Sequence, residues 1–226
     1  MKKPAHNGET LILLWYYKRM GNTVGSMNTD FWDFKTKDDA YILGLWCADG
    51  YHWGSSIGIS NTNTLLIDKF CKFFLRFFSE KRLKLHIYKP DKFKRRTKAY
   101  HLYVNSRPLL RQFKELENNL NNFITRELIL PYMAGRFDGD GSVAKDFYSD
   151  CRIVYSNKEE AEQDKMLIQS LGFQRIKIYN YHSAKTFCLY FSRLETKEFL
   201  SLIYPYSLKL QKSVFIPRRD LISSIS

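Results

Sequence analysis

Tyr41-Ile-Leu-Gly-Leu-Trp-Cys-Ala-Asp-Gly50 and Tyr132-Met-Ala-Gly-Arg-Phe-Asp-Gly-Asp-Gly141 spell one pattern twice, ninety-one positions apart. Each is an apolar run with a glycine five residues before an acid, and glycine follows the acid. Small residues stand four apart in both, Gly44 with Ala48 and Gly135 with Gly139. On a helix that spacing makes a stripe along one face, and such stripes let two helix backbones approach closely. Gly44, Ala48, Gly135 and Gly139 are therefore the expected contacts of a helix pair that ends in Asp49 and Asp140. A carboxylate at a helix C-terminus faces the negative end of the macrodipole, at a cost of a few tenths to about 1 kcal/mol. Two of them side by side also repel. A divalent cation held by hard oxygen ligands resolves the conflict, so the pattern predicts a metal site where the two halves of the chain meet.

The repetition continues beyond the two phrases. Ser60-Asn61 and Asp68-Lys69 are echoed by Ser156-Asn157 and Asp164-Lys165, shifted by 96. Lys98–Val104 is echoed by Lys185–Phe191, shifted by 87, and Ser106-Arg107 with Phe113 by Ser192-Arg193 with Phe199, shifted by 86. Drifting offsets are what loops of unequal length produce between duplicated units. Within the first unit, Thr36-Lys-Asp-Asp39 reads as a capping box opening the helix toward Asp49. Two short strands end at Asn61, with Ile57 and Ile59 on one face and Ser56, Gly58 and Ser60 on the other. Leu66, Phe70, Phe73 and Phe77 recur at helical spacing, Leu83, Leu85 and Ile87 alternate with Lys84, His86 and Tyr88, residues 98–104 alternate again, and 107–117 return to a helix. The unit reads α-β-β-α-β-β-α. In the second, Pro131 must sit in a first turn or at a kink, and a strand at 174–179 sets Arg175, Lys177 and Tyr179 opposite Ile176 and Ile178. The expected fold class is α+β: two αββαββα repeats about a pseudo-twofold axis, residues 36–122 and 123–226. Helices cover one face of each antiparallel sheet and the other stays free. Residues 1–35 match neither repeat; Trp15, Tyr16 and Tyr17 beside Lys18 and Arg19 are expected to pack on the first one.

Charge points to the partner. The 226 residues carry 36 Lys and Arg against 23 Asp and Glu, a net charge of +13 and a pI near 9.5, which favours a polyanion. Residues 1–124 hold 21 basic and 11 acidic side chains, residues 125–226 hold 15 and 12. The densest patch, Lys89, Lys92, Lys94, Arg95, Arg96 and Lys98, suits a phosphate-gripping loop. Cys47, Cys71, Cys151 and Cys188 show no paired spacing, which argues against zinc and for a reduced intracellular compartment. Leu11–Tyr17 is too short to span a membrane and lacks a cleavage site for secretion.

The paired phrases and the unit pattern resemble the LAGLIDADG homing endonucleases in their single-chain, two-repeat form, over about residues 37–212. The resemblance implies a monomeric saddle of two sheets on double-stranded DNA, with the signature helices between the repeats. It also implies Mg²⁺-dependent cleavage of both strands across the minor groove of a long, poorly palindromic site, with Mn²⁺ as a substitute. The metal-binding acids fall on Asp49 and Asp140, with backbone carbonyls from Ala48 and Gly139. The polar residue at the end of the second strand, near the attacking water, falls on Asn61 and Asn157. A basic residue near the end of the last repeat, which supports the transition state, falls on Lys209 or Lys212. DNA contacts fall on the outer sheet faces and loops: Ser56, Ser60, Lys84, His86, Tyr88, His101 and Tyr103, the loop residues Lys92, Lys94, Arg95 and Arg96, and in the second repeat Lys145, Arg152, Ser156, Arg175, Lys177, Tyr179 and Tyr190. One position departs from the pattern: the first signature acid is kept as Asp138 but is Cys47 in the first repeat. That residue is expected to pack or cap at the interface. The rival readings are an inactive relative acting as an RNA maturase or regulator, a non-enzymatic DNA-binding module, and a structural protein.

Overall fold

A computed structural model describes residues 32–89, 98–147 and 149–218. The first signature phrase lies on α1 (Lys37–Asp49), which opens with the capping box: Thr36 Oγ1 accepts from the Asp39 amide and the Asp39 carboxylate accepts from the Thr36 amide. Asp39 is fully buried because Trp32 Nε1 and Arg76 Nη1 also donate to it. There follow β1 (Gly50–Trp53), β2 (Ser56–Asn61), α2 (Thr64–Phe74), β3 (Lys84–Tyr88), β4 (Ala99–Asn105), α3 (Arg107–Asn118) and the short α4 (Leu120–Phe123). The second repeat runs α5 (Ile129–Asp140), β5 (Gly141–Val143), β6 (Cys151–Tyr155), α6 (Lys158–Ser170), β7 (Ile176–Tyr181), β8 (Thr186–Phe191), α7 (Arg193–Ile203) and α8 (Leu208–Gln211). Pro131 stands in the first turn of α5, where a missing N–H costs nothing. The strand expected at 174–179 begins two residues later, at Ile176.

Both sheets are four-stranded and antiparallel, ordered β1-β2-β4-β3 and β5-β6-β8-β7. Ile57, Ile59, Leu102 and Val104 of the first sheet, and Ile153, Leu189 and Phe191 of the second, are fully buried beneath helices, and one continuous apolar core joins the two halves. Burying one face of each sheet fixes its register, since a one-residue slip would turn the buried row outward.

That register corrects part of the sequence alignment. Ile59 pairs with Gly50 and Leu102, and Ile153 pairs with Gly141 and Leu189. The equivalent shift on this strand is 94, not 96. Asn61 therefore corresponds to Tyr155. Asn157 corresponds to Asn63, and each of these caps the helix that follows. Asp164 corresponds to Phe70 rather than Asp68. The Ser-Asn echo came from two similar dipeptides at different places on the strand and its exit.

Candidate active site at the foot of the helix pair

Two helices touch through their glycines. A Cβ on Gly44 would lie 2.0 Å from the Tyr132 carbonyl oxygen, and one on Gly135 would lie 2.1 Å from that of Tyr41. Neither position has room for a methyl group, so α1 and α5 pack backbone against backbone. At the C-terminal end, a Cβ on Gly139 would lie 2.4 Å from Ala48 Cβ and 2.8 Å from Asp49 Oδ2. The Asp49 carboxylate thus rests on the residue preceding Asp140, and the two acids share the foot of the pair.

Their surroundings differ. Asn61 Nδ2 donates to Asp49 Oδ2 at 2.6 Å, while Asn61 Oδ1 accepts from the Asn63 amide. Burial raises the Asp49 pKa, and the Asn61 hydrogen bond and the Lys209 charge oppose it. Asp140 is pushed up to about 6, first by burial and next by the Asp49 charge, against Arg136 and Lys209. An acid raised by a like charge is the signature of a pair that cannot both ionise comfortably without a cation.

Lys209 is placed by Asp138. The Asp138 carboxylate accepts from Tyr41 Oη across the interface at 2.6 Å, from Ser207 Oγ, and from the amides of Leu208 at 2.7 Å and Lys209 at 3.3 Å. These bonds hold the start of α8 against the end of α5, and Lys209 Nζ donates to the Gly141 carbonyl at 2.6 Å. Much of the Lys209 residue meets solvent, but its amine lies in the crowded ground at the helix ends. Burial lowers its pKa, while Asp138, Asp49 and Asp140 act to raise it. Lys212 ends α8 and is exposed; the charges felt by both acids include that of Lys209. Cys47, opposite Asp138 in the repeat, is half-buried with a thiol that burial holds well above its ordinary pKa.

Asn157 takes another role. Its Oδ1 accepts from the Glu160 amide at 2.8 Å and its Nδ2 donates to the Glu160 carboxylate, so its amide is spent on the α6 cap. Behind Asp140 lies a group that sequence reasoning missed. Arg136, fully buried on α5, donates from Nε to Asp164 at 2.9 Å and from Nη2 to Glu160 at 2.8 Å. Tyr132 and Tyr155 give their hydroxyls to the same Asp164. An arginine inside an otherwise apolar signature was the available signal, because a buried guanidinium requires buried acceptors.

Carboxylates at the ends of two helices, beside the free carbonyls of their last turns, form a hard-oxygen donor set that suits Mg²⁺. Asp49 and Asp140 with the Ala48 and Gly139 carbonyls would hold it. Among the described residues no three His, Cys, Asp or Glu side chains converge, so water or phosphate oxygens would complete the shell.

On the outer face of the first sheet, Ser56, Lys84, His86, Tyr88, His101 and Tyr103 line a shallow basin of about 470 Å³ together with Tyr51, Trp53 and Asn105. The last three escaped the sequence reading: Tyr51 and Trp53 lie on a hairpin too short to show its alternation, and Asn105 is the last residue of β4. Ser60 is exposed at the edge of the same face. On the second sheet Arg152, Lys177, Tyr179 and Tyr190 share the outer face, Arg175 directly precedes β7, Lys145 sits in the β5–β6 turn and Ser156 follows β6. Lys92, Lys94, Arg95 and Arg96, and residues 1–31 with Trp15 to Arg19, lie outside the described residues.

This architecture is the two-repeat LAGLIDADG fold. Residues 36–118 match the family model described as the LAGLIDADG-like domain. No curated protein sequence matches it. Among solved structures it is similar to I-DmoI in complex with DNA and Mn, at 19% identity over 73% of this chain and 94% of that one, with a TM-score of 0.55. The homing endonuclease I-WcaI bound to its DNA recognition sequence is 14% identical over 94% of this chain and 99% of that one, at a TM-score of 0.55. The N-terminal LAGLIDADG domain of DUF199/WhiA is 15% identical over 86% and 90%, at 0.56. No helix among the described residues is long and apolar enough to cross a membrane.

Proposed function

We propose that the chain is a site-specific endonuclease that hydrolyses both strands of a DNA duplex, acting as a single chain with Mg²⁺ at the foot of the helix pair. The observation that carries this reading is the placement of Asp49 and Asp140 together, with the Lys209 amine close enough for its charge to act on both. Nothing in folding favours that arrangement, since burial raises both acids and the Asp49 charge raises Asp140 further. Bound there, the metal would lower the pKa of a water and neutralise charge on the scissile phosphate. The chain's own groups would do the rest. Asn61 orients the Asp49 carboxylate, and its amide offers a polar edge to ordered water. Lys209, anchored through Asp138, brings positive charge toward the phosphate as negative charge builds in the transition state. The outer sheet faces would lie in the major groove on either side, where Lys, Arg, Tyr and His reach base edges. The fold is also that of a DUF199/WhiA domain, so both acids must be tested directly. Incubation of the full chain with a randomised duplex library, with Mg²⁺ or with EDTA, should give cut ends only with metal. Asp49→Asn and Asp140→Asn should each cripple double-strand cutting. Normal cutting by both variants would overturn the assignment.

A further inference from the structure

The strand register allows the outer faces of the two sheets to be compared position by position. In the first sheet one row reads Tyr51, Gly58, Tyr103, Lys84, and the next contains Ser60, His101 and His86. In the second sheet the matching rows read Ser142, Arg152, Tyr190, Lys177, and Val154, Cys188, Tyr179. The decisive exchange is Gly58 for Arg152. Gly58 has no room for a side chain, since a Cβ there would lie 2.1 Å from the Leu102 carbonyl oxygen and 2.7 Å from Tyr103 Cβ. No side chain rises from the sheet there, and Tyr103 packs against the glycine backbone. Tyr51 leans over it and meets His101 edge-on at 4.0 Å between ring centres, leaving His101 only 6% exposed. Tyr103, Tyr88 and His86 complete an aromatic wall, with His101 5.0 Å from Tyr103 and His86 4.6 Å from Tyr88. Trp53, 76% exposed at the hairpin tip, extends it. The groups of this basin that could carry charge are Lys84, at the edge over the Tyr103 ring, and the two histidines. Burial first, then His86, lowers the His101 pKa, which keeps that imidazole neutral near neutral pH.

Arg152 makes the opposite surface. It projects exposed from the place where the first sheet has nothing, and Ser142 Oγ accepts from its Nε at 3.0 Å. That bond engages Nε and not the terminal amino groups. Lys177 stands two strands away in the same row.

Resting on the DNA reading above, we propose that the two sheets select different bases: the aromatic basin of the first seats thymine methyl groups, and Arg152 of the second takes guanine. The concave aromatic surface gains from burying a methyl and its lining residues include no arginine, with Lys84 at the edge, whereas the planar guanidinium of Arg152, bonded through Nε, can present its amino groups to O6 and N7 of guanine. The half-sites would then differ in composition, one rich in A·T pairs with thymine at set positions and the other anchored by guanine.

The test uses binding without cleavage. Full-length protein in EDTA is used to select duplexes from a randomised library, and the enriched site is then rebuilt with deoxyuridine for thymidine in one half at a time. Removing a seated methyl should weaken binding about fourfold per position, in one half only, and Tyr51→Ala should remove that sensitivity. Arg152→Ala should relax guanine preference in the other half, with a loss of at least about fivefold. Equal tolerance of deoxyuridine in both halves, or relaxation of the same half by Tyr51→Ala and Arg152→Ala, would sink the partition while leaving DNA binding intact. Failure to enrich any duplex would remove the DNA reading and the partition with it.

Discussion

Asn61 donates to Asp49 at 2.6 Å, whereas the residue in its register position on the second sheet, Tyr155, gives its hydroxyl to the buried Asp164 at 2.8 Å. The two acids at the foot of the helix pair are therefore held by unlike means, one by a neighbouring amide and the other in front of a buried guanidinium. Lys209 acts on both, since its charge is felt by Asp49 and by Asp140.

Strand-resolved cleavage follows from this. Asn61→Ala should slow one strand by about tenfold or more, the cost of one lost hydrogen bond to a charged group, and leave the other within a fewfold of wild type. Nicked duplex should then accumulate. Lys209→Met should slow both strands. A time course on a duplex labelled separately on each strand checks both variants; equal slowing of the strands by Asn61→Ala would contradict the unlike support of the two acids.

A raised acid also makes stability depend on pH. Asp140 titrates at about 6 in the folded chain against about 3.9 unfolded. Between those values the folded state holds a proton that the unfolded state has released, so stability falls as pH rises from about 4 to about 6 and levels off above. The penalty at neutral pH is at most about 3 kcal/mol and less with solvent screening. In EDTA, Asp140→Asn should therefore unfold at higher urea than wild type near neutral pH, by about 1–3 kcal/mol. The shallower slope left by Asp49, also raised, should persist in the variant. Mg²⁺ should stabilise the wild type more than the variant. A variant less stable than wild type in EDTA would show that the Asp140 anion is welcome where it stands.

The glycine contacts of the helix pair permit no compromise. Gly135→Ala would set a methyl 2.1 Å from the Tyr41 carbonyl oxygen and 2.6 Å from the Leu45 amide nitrogen, both rigid backbone. Separating the helices to admit it would also part Tyr41 from Asp138 and lift Asp49 off Gly139. We expect a loss of about 3 kcal/mol or more and loss of cleavage beyond what residual folding explains. Gly54→Ala, at the hairpin tip where a Cβ would meet open space but φ is +59°, should cost about 1 kcal/mol and spare cleavage. Urea unfolding of the two variants gives the comparison.

Sequence alone exposed the repeat, the helix pair and the order of strands, because each leaves a periodic trace: glycines four apart, alternation on the strands, and a capping box at Thr36. It placed Asp49 and Asp140 for the same reason. It misplaced Asn157 by matching dipeptides, since only cross-strand pairing shows that Ile153, and not Tyr155, stands where Ile59 does. It left Lys209 and Lys212 unresolved because the choice depends on Asp138, sixty-nine residues before Ser207 and in contact with it only after folding. The basin on the first sheet was half legible. Alternation marked Lys84, His86 and Tyr88, but the close approach of Tyr103 that leaves Gly58 without room for a side chain is a property of packing.

The buried charge cluster of the second repeat carries the largest single stability prediction. Arg136 is a fully buried guanidinium that depends on Asp164 at 2.9 Å and Glu160 at 2.8 Å, with Tyr155 stacked against it at 4.4 Å. Removing one partner of such a pair leaves an uncompensated charge away from water, which costs about 3–5 kcal/mol. Asp164→Ala should fall in that range and also strand the hydroxyls of Tyr132 and Tyr155. Arg136→Met combined with Asp164→Leu replaces the pair by apolar volume and should recover much of the loss. The double variant should still cut more weakly than wild type, because the positive charge that opposes the rise of the Asp140 pKa is gone. Urea unfolding of the single and double variants gives the stability cycle. A double variant that folds well and cuts at the wild-type rate across the pH range would confine Arg136 to the core.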